Sequence, residues 1–346
     1  MSFLANVTGL PVAPSVGRDE RGQMQLTVAI KASFTWGKDG APIPAEPIGI
    51  VEEDLFVGEP GKSGIARPAE VGPPKPRVDV LLVGAFLFSQ PIMEADVALS
   101  VGGRLRKGAK VYGDRYWLPS PNGGVVPSRP RPVARLPILW ERSFGGSDPA
   151  DSTCFEPRNP VGSGIAKRSK TLEAQPAPSF EEPQQRIRTA KDRPIPWGFG
   201  AIAPHWQPRV KLAGTYDQKW QKERCPLLPP DFNRAYFNVA PMDQQLDGYI
   251  AGEEVRLDGM TVMGQERFKL PVFRTPIIFR SRSEMFETFA QVDTIVIEPA
   301  ERRFSLVARA AYSPRPNMLA MRQVLIGPAS RGRRRAIETG KEYLKL

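Results

Sequence analysis

The acidic side chains come closest to a catalytic set. Asp217, Asp231, Asp243 and Asp247 fall within one short stretch, and two carboxylates flanking a glycosidic bond are the machinery of a glycosidase. Yet Asp217 ends Gly-Thr-Tyr-Asp and Asp231 sits in Pro-Pro-Asp-Phe, settings in which an aspartate caps a turn through its own backbone. The single histidine, His205, lies between Pro204 and Trp206 with no nucleophile elbow beside it. One imidazole excludes sites that need several, and it leaves one candidate base for a Ser-His or Cys-His device. Cys154 and Cys225 are too few for a disulfide framework or a four-thiolate zinc site. Gly61-Lys62-Ser63 has the ending of a phosphate loop, but Phe56 stands where the leading glycine belongs and Pro60 removes an amide from the cradle. The run 159–164 contains Gly-X-Gly without the flanking strand and helix that dinucleotide binding requires. The expectation is no catalytic residue, no metal and no cofactor.

The elements that would position these groups are strands. Along 27–36, Val28, Ile30, Ala32, Phe34 and Trp36 alternate with Thr27, Lys31, Ser33 and Thr35, the period of a half-buried strand. The stretch 78–88 is almost continuously apolar, as a central strand buried on both sides would be. ADVALSV and RLRKGAKVYG flank Gly102-Gly103, a hairpin signal. FETFAQVDTIVIE and RFSLVARAAY form a second hairpin around a short turn. Between these ends, 119–241 is rich in proline and glycine and holds four of the six tryptophans. Disordered segments are poor in aromatics, so this region is expected to be ordered loops wrapped over sheets, with the polar run 166–191 as its flexible piece. The tail, 329–346, sets six basic residues against two acidic ones.

Composition bounds the rest. The chain has 346 residues, a net charge of +11, 31 glycines and 37 prolines. Proline at this density interrupts long helices, so bundles, coiled coils and helical solenoids are excluded. No apolar run approaches the roughly 20 residues that span a bilayer, and the first residues lack the basic and apolar regions of a signal peptide. The expected protein is cytoplasmic, without membrane partners, and mainly β: sandwich- or barrel-like antiparallel sheets, as two β lobes or one sheet system, with little helix. The expected divisions are an N-terminal β region over 1–118, the loop region over 119–241, a C-terminal β region over 242–328, and the tail.

Read in order, the chain carries PPKPRVDVLLVGAF, VYGDRYW, ERSFGG, NPVGSG, WGFGAIAPHWQPRVKLAGTYDQKW, CPLLPPDFNRAYFNVAPMDQQL, and GEEVRLDGM running to FKLP. In order and spacing these motifs resemble the bacterial domain-of-unknown-function family 2169 over roughly 6–314. Members of that family are encoded with type VI secretion clusters, near spike proteins and toxin effectors. The resemblance implies a non-enzymatic adaptor-chaperone that binds a toxin effector and helps load it onto the spike, a VgrG trimer capped by a PAAR protein. It transfers no catalytic residues, and the cysteines and basic tail lie outside the shared pattern. For that role, the loops 113–117, 198–206 and 213–220 are expected to form one surface. Arg115, Trp117, Trp206, Arg209, Tyr216 and Trp220 would be its contacts, since Trp, Tyr and Arg dominate interface hot spots. The pairs Trp206 with Arg209 and Trp117 with Arg115 fit core aromatics with a stacked arginine equally well. Two other classes stay open. One is a carbohydrate-processing or carbohydrate-binding protein using the aspartates and aromatic loops. The other is a polyanion binder working through the tail, where nucleic acid is disfavoured because no zinc finger, RNP motif or basic helix accompanies it.

Overall fold

A thirteen-residue strand, Met24–Trp36, is the spine of the molecule because Leu26, Val28, Ile30 and Trp36 enter one core and Phe34 packs against it. In the computed structural model, which describes residues 3–19, 21–148 and 150–339, the spine pairs with Val12–Arg18 on one side and Arg303–Tyr312 on the other. Next come Gln291–Glu298, Val78–Leu82 and Gln245–Leu246, and Pro42–Pro44 joins the end of the spine to complete a seven-stranded sheet. Its pairings are antiparallel except that Val78–Leu82 runs parallel to Gln291–Glu298. Strands from both ends of the chain therefore share one sheet.

A five-stranded sheet, in the order Phe180–Glu181, Leu105–Tyr112, Glu94–Val101, Glu254–Asp258 and Gln265–Lys269, packs against it. So does a four-stranded sheet of Leu4–Asn6, Met321–Ile326, Pro276–Ser281 and Met285–Phe289. Val28 and Ile30 from the first sheet, Leu99 and Val255 from the second, and Ile277 and Val324 from the third meet in a single core. At its centre Phe268 stacks between Trp36 and Phe304, with ring centroids at 4.6 and 4.4 Å. The arrangement is mainly β and sandwich-like, and among the described residues no sheet closes into a barrel. Both expected hairpins form; Gly102 turns the first with a φ of +51°, where a side chain is disfavoured.

Four local expectations change. The apolar run 78–88 is not one strand. Val78–Leu82 is wholly buried as expected, but Gly84, with φ +85°, turns the chain so that Ala85–Ile92 pairs with Val133–Pro137 instead. Likewise, FETFAQVDTIVIE splits at Ala290 between the four- and seven-stranded sheets. The far face of the spine is not solvated either: Thr27, Lys31 and Ser33 are buried. An irregular segment from this face's cover supplies Glu70, whose carboxylate takes the Lys31 ammonium at 2.7 Å, as a buried charge requires. Finally, 166–191 is anchored. Leu172, Ala177, Ile187 and Ala190 reach a core of their own, and Glu181 receives Arg115 and Arg186.

The basic tail is helical over Arg331–Thr339, and is held by Ile337 against Ile278 and Leu325. Lys341 and Lys345 lie outside the described residues. Among the described residues no helix is long and apolar enough to cross a membrane.

Candidate functional site

Burial sorts the six expected contact residues. Trp117 is 1% exposed and Trp206 0%, so neither can meet a partner in this conformation. They also lie in separate core clusters, Trp117 with Phe144 and Ile165, Trp206 with Trp140 and Val239. The structure therefore does not bring these two tryptophans together. Arg115 is buried as well. Its guanidinium bonds the Pro178 carbonyl and Glu181 and lies 3.8 Å from the Tyr112 ring. Arg209 stacks on Tyr236 at 5.0 Å. Each arginine thus uses a tyrosine, not the tryptophan near it in sequence. The pair offered to solvent is Tyr216, 52% exposed, and half-buried Trp220, edge to face at 4.6 Å.

These two side chains stand on a module spanning 209–237. Its regular parts are single turns at Arg209–Leu212 and Arg234–Phe237 and a short helix, α1, at Gln218–Glu223. None of the three buries a residue. At the neck Arg209 clamps both stems, its Nε donating to the Tyr236 carbonyl at 3.0 Å and Nη1 to the Ile202 carbonyl at 2.6 Å. Burial draws this guanidinium below its ordinary value. Asp79, on the Val78–Leu82 strand, holds the returning stem by accepting from Val239 N and Asn238 Nδ2, each at 2.9 Å.

Further out, Thr215 donates its amide and hydroxyl to Asp231 at 3.0 and 2.8 Å, which holds that carboxyl below the usual range. Gly214 makes this possible. Its φ is +82°, and a Cβ there would stand 2.9 Å from Asp231 Oδ1 and from Pro229. Asp217 caps α1 by accepting from Trp220 N at 2.7 Å, and Trp220 Nε1 donates to the Leu227 carbonyl. The capping expected of Asp217 is observed, whereas Asp231 ties its segment to Thr215, 16 residues earlier, instead of capping its own turn. Asp243 pairs with Lys107 and Asp247 with Arg77.

Beside the neck lies a groove of about 390 Å³, with Ile195, Trp197, Pro208, Pro241 and Met242 in its walls. Met242 is 74% exposed and Ile195 46%. Below them Lys107 is buried, 4.5 Å from the Trp197 ring centre and 3.0 Å from Asp243. Burial pushes its ammonium down to about 8, against the pull of Asp243. The sequence carried a signal for this lysine: it shares the inward parity of Leu105, Ala109 and Val111, a face where a charge needs a partner.

The remaining motifs do structural work. Lys62 pairs with Glu59 in an exposed turn, and Ser63 Oγ accepts from Gly58 N while donating to the Glu59 carbonyl. His205 Nε2 accepts from Trp206 Nε1 at 3.0 Å, and burial together with the Arg209 charge lowers its pKa. Cys154 is half-buried and Cys225 exposed, both as free thiols. Neither a curated protein nor a solved structure matches the chain. The family described as "Uncharacterized protein conserved in bacteria (DUF2169)" matches over residues 21–309, which takes in the spine, the groove and the whole 209–237 module, and the protein belongs to that family.

Proposed function

We propose that the protein is a non-enzymatic adaptor that holds a partner protein through the 209–237 module. The partner is a toxin effector of a type VI secretion system, loaded from the cytoplasm onto a VgrG/PAAR spike. The secretion context follows from the family resemblance set out above. What supports the binding role in the molecule is one observation: no residue of 209–237 belongs to a core cluster, yet the excursion is tied at its neck and tip. Long connections that add nothing to a core are usually functional, and a rigid tip presenting Tyr216 and Trp220 has the residue types of an interface anchor.

The test is affinity capture of the tagged protein from its own cells, identified by mass spectrometry, for wild type and a Tyr216→Ala/Trp220→Ala variant. Wild type should recover a toxin-like protein together with a spike component, and the variant several-fold less at unchanged thermal stability. Recovery of no protein partner, or of nucleic acid alone, overturns the reading. Equal recovery by the two forms removes the module from it.

A further inference from the structure

We infer that the face formed by the module and the groove at its neck binds an acidic segment of a protein carrying apolar side chains; this rests on the adaptor reading and gives the partner its chemistry. Basic charge on the module lies next to an apolar groove at its neck. Lys211, Lys219 and Lys222 are exposed, and among the described residues none of the three forms an ion pair.

Between 209 and 237 the chain carries six lysines and arginines against three carboxylates, Asp217, Glu223 and Asp231. Asp217 and Asp231 accept bonds from the module's own turns. Asp243 is neutralised by Lys107, and Glu156 by Arg158. All three of the module's carboxylates are exposed, which leaves the module a net charge of +3. A chain with net charge +11 adds a long-range field of the same sign, which speeds encounter with an acidic partner and disfavours basic ones.

The groove supplies the other half. Pro208 in its wall directly precedes the module, Lys211 follows three residues later, and Pro241 and Met242 continue from the returning stem. The groove therefore adjoins the module at its neck, with Lys211 the nearest of the three lysines in sequence. A volume of about 390 Å³ lies within the range of ligand pockets, roughly 300 to 1,000 Å³. Its walls of proline, isoleucine, methionine and tryptophan suit aliphatic side chains. Nucleic-acid interfaces are polar and strongly basic throughout, so this floor favours a protein segment over a phosphate chain.

The probe is a fluorescent glutamate-rich peptide with two central leucines, titrated by anisotropy into the full chain. It is compared with the same peptide lacking leucine, a lysine-rich counterpart and single-stranded DNA. The expected result is binding of the first peptide alone, weakening with salt. A Lys211→Glu/Lys219→Glu/Lys222→Glu variant should weaken it about tenfold or more, as should Met242→Asp, with both variants melting as wild type does.

No binding, equal binding by the variants, or preference for the DNA overturns the inference. Capture from cells separates this from failure of the adaptor reading. If the natural partner still depends on Tyr216 and Trp220 but not on the lysines or Met242, the acidic-segment inference falls alone. If capture depends on none of them, the module falls with it.

Discussion

Trp206 and Tyr216 lie ten positions apart, and burial gives them opposite tasks. Trp206 fills the space beside Trp140 with no exposed surface, so Trp206→Ala should cost about 3–5 kcal/mol in urea unfolding. Tyr216→Ala, on a tip that supports no core, should stay within about 0.5 kcal/mol. A Trp206→Ala protein as stable as wild type would refute the packing argument. Local spacing could not sort the two, because what decides burial is remote: Arg209 finds its ring and carbonyl 27 residues away at Tyr236. Lys107 makes a sharper test. A lysine ordinarily titrates near 10.5, and burial draws this one to about 8. Between those values the unfolded chain holds the proton and the folded chain does not, so stability should rise with pH from about 8 to 10 and lack that contribution below 8. The rise is on the order of 3 kcal/mol. Lys107→Met should flatten it, as urea midpoints between pH 7.5 and 10 would register; identical slopes for the two proteins would show that the ammonium is not desolvated.

Neighbouring strands carry a polar stripe on the covered face of the large sheet. Lys31 lies on the spine, Arg309 on Arg303–Tyr312, Asp293 on Gln291–Glu298 and Asp79 on Val78–Leu82, all buried. The covering segment answers each of them: Glu70 takes Lys31, the Glu70 carbonyl takes Arg309, Lys75 N reaches Asp293, and Lys75 Nζ reaches Asp79. Breaking one pair should cost more than replacing it. Lys31→Met leaves the Glu70 carboxylate buried and should lose about 3–5 kcal/mol, while Lys31→Met/Glu70→Leu should recover most of that loss. A double variant no better than the single would place the stabilisation in Glu70's other bond, to Val51 N. The alternation that located the spine and both hairpins is local geometry, and so was legible. The cover over Thr27, Lys31 and Ser33 was not, because an irregular segment has no period and its burying contacts lie 39 residues from the strand in the case of Lys31 and Glu70. The break in 78–88 hung on one glycine, Gly84, inside a run whose apolarity masked it.

Both ends of the chain supply the large sheet, whereas the module in the middle supplies none of the core, and together these facts decide how the molecule should respond to cutting. The spine pairs with Arg303–Tyr312 through ten residues in register, and Val78–Leu82 with Gln291–Glu298 through four. Separating the chain at α1, between Glu223 and Arg224, divides each of those pairings between two pieces. The covalent break itself falls where no side chain is needed for packing. A single tryptic cut, at exposed Lys219 or Lys222, should therefore give two fragments in a denaturing gel that still migrate as one species natively. That species should keep the near-ultraviolet dichroism of the intact protein. Purified apart, residues 1–223 and 224–346 should each lack cooperative unfolding, since an isolated half exposes the apolar face of strands whose partners sit on the other half, and mixing them should restore it slowly, as non-local strand pairing folds slowly. If either half alone gives a cooperative transition, the molecule is two independent units. Dissociation of the nicked pair at the first cut would place the holding contacts in the module and not in the sheet.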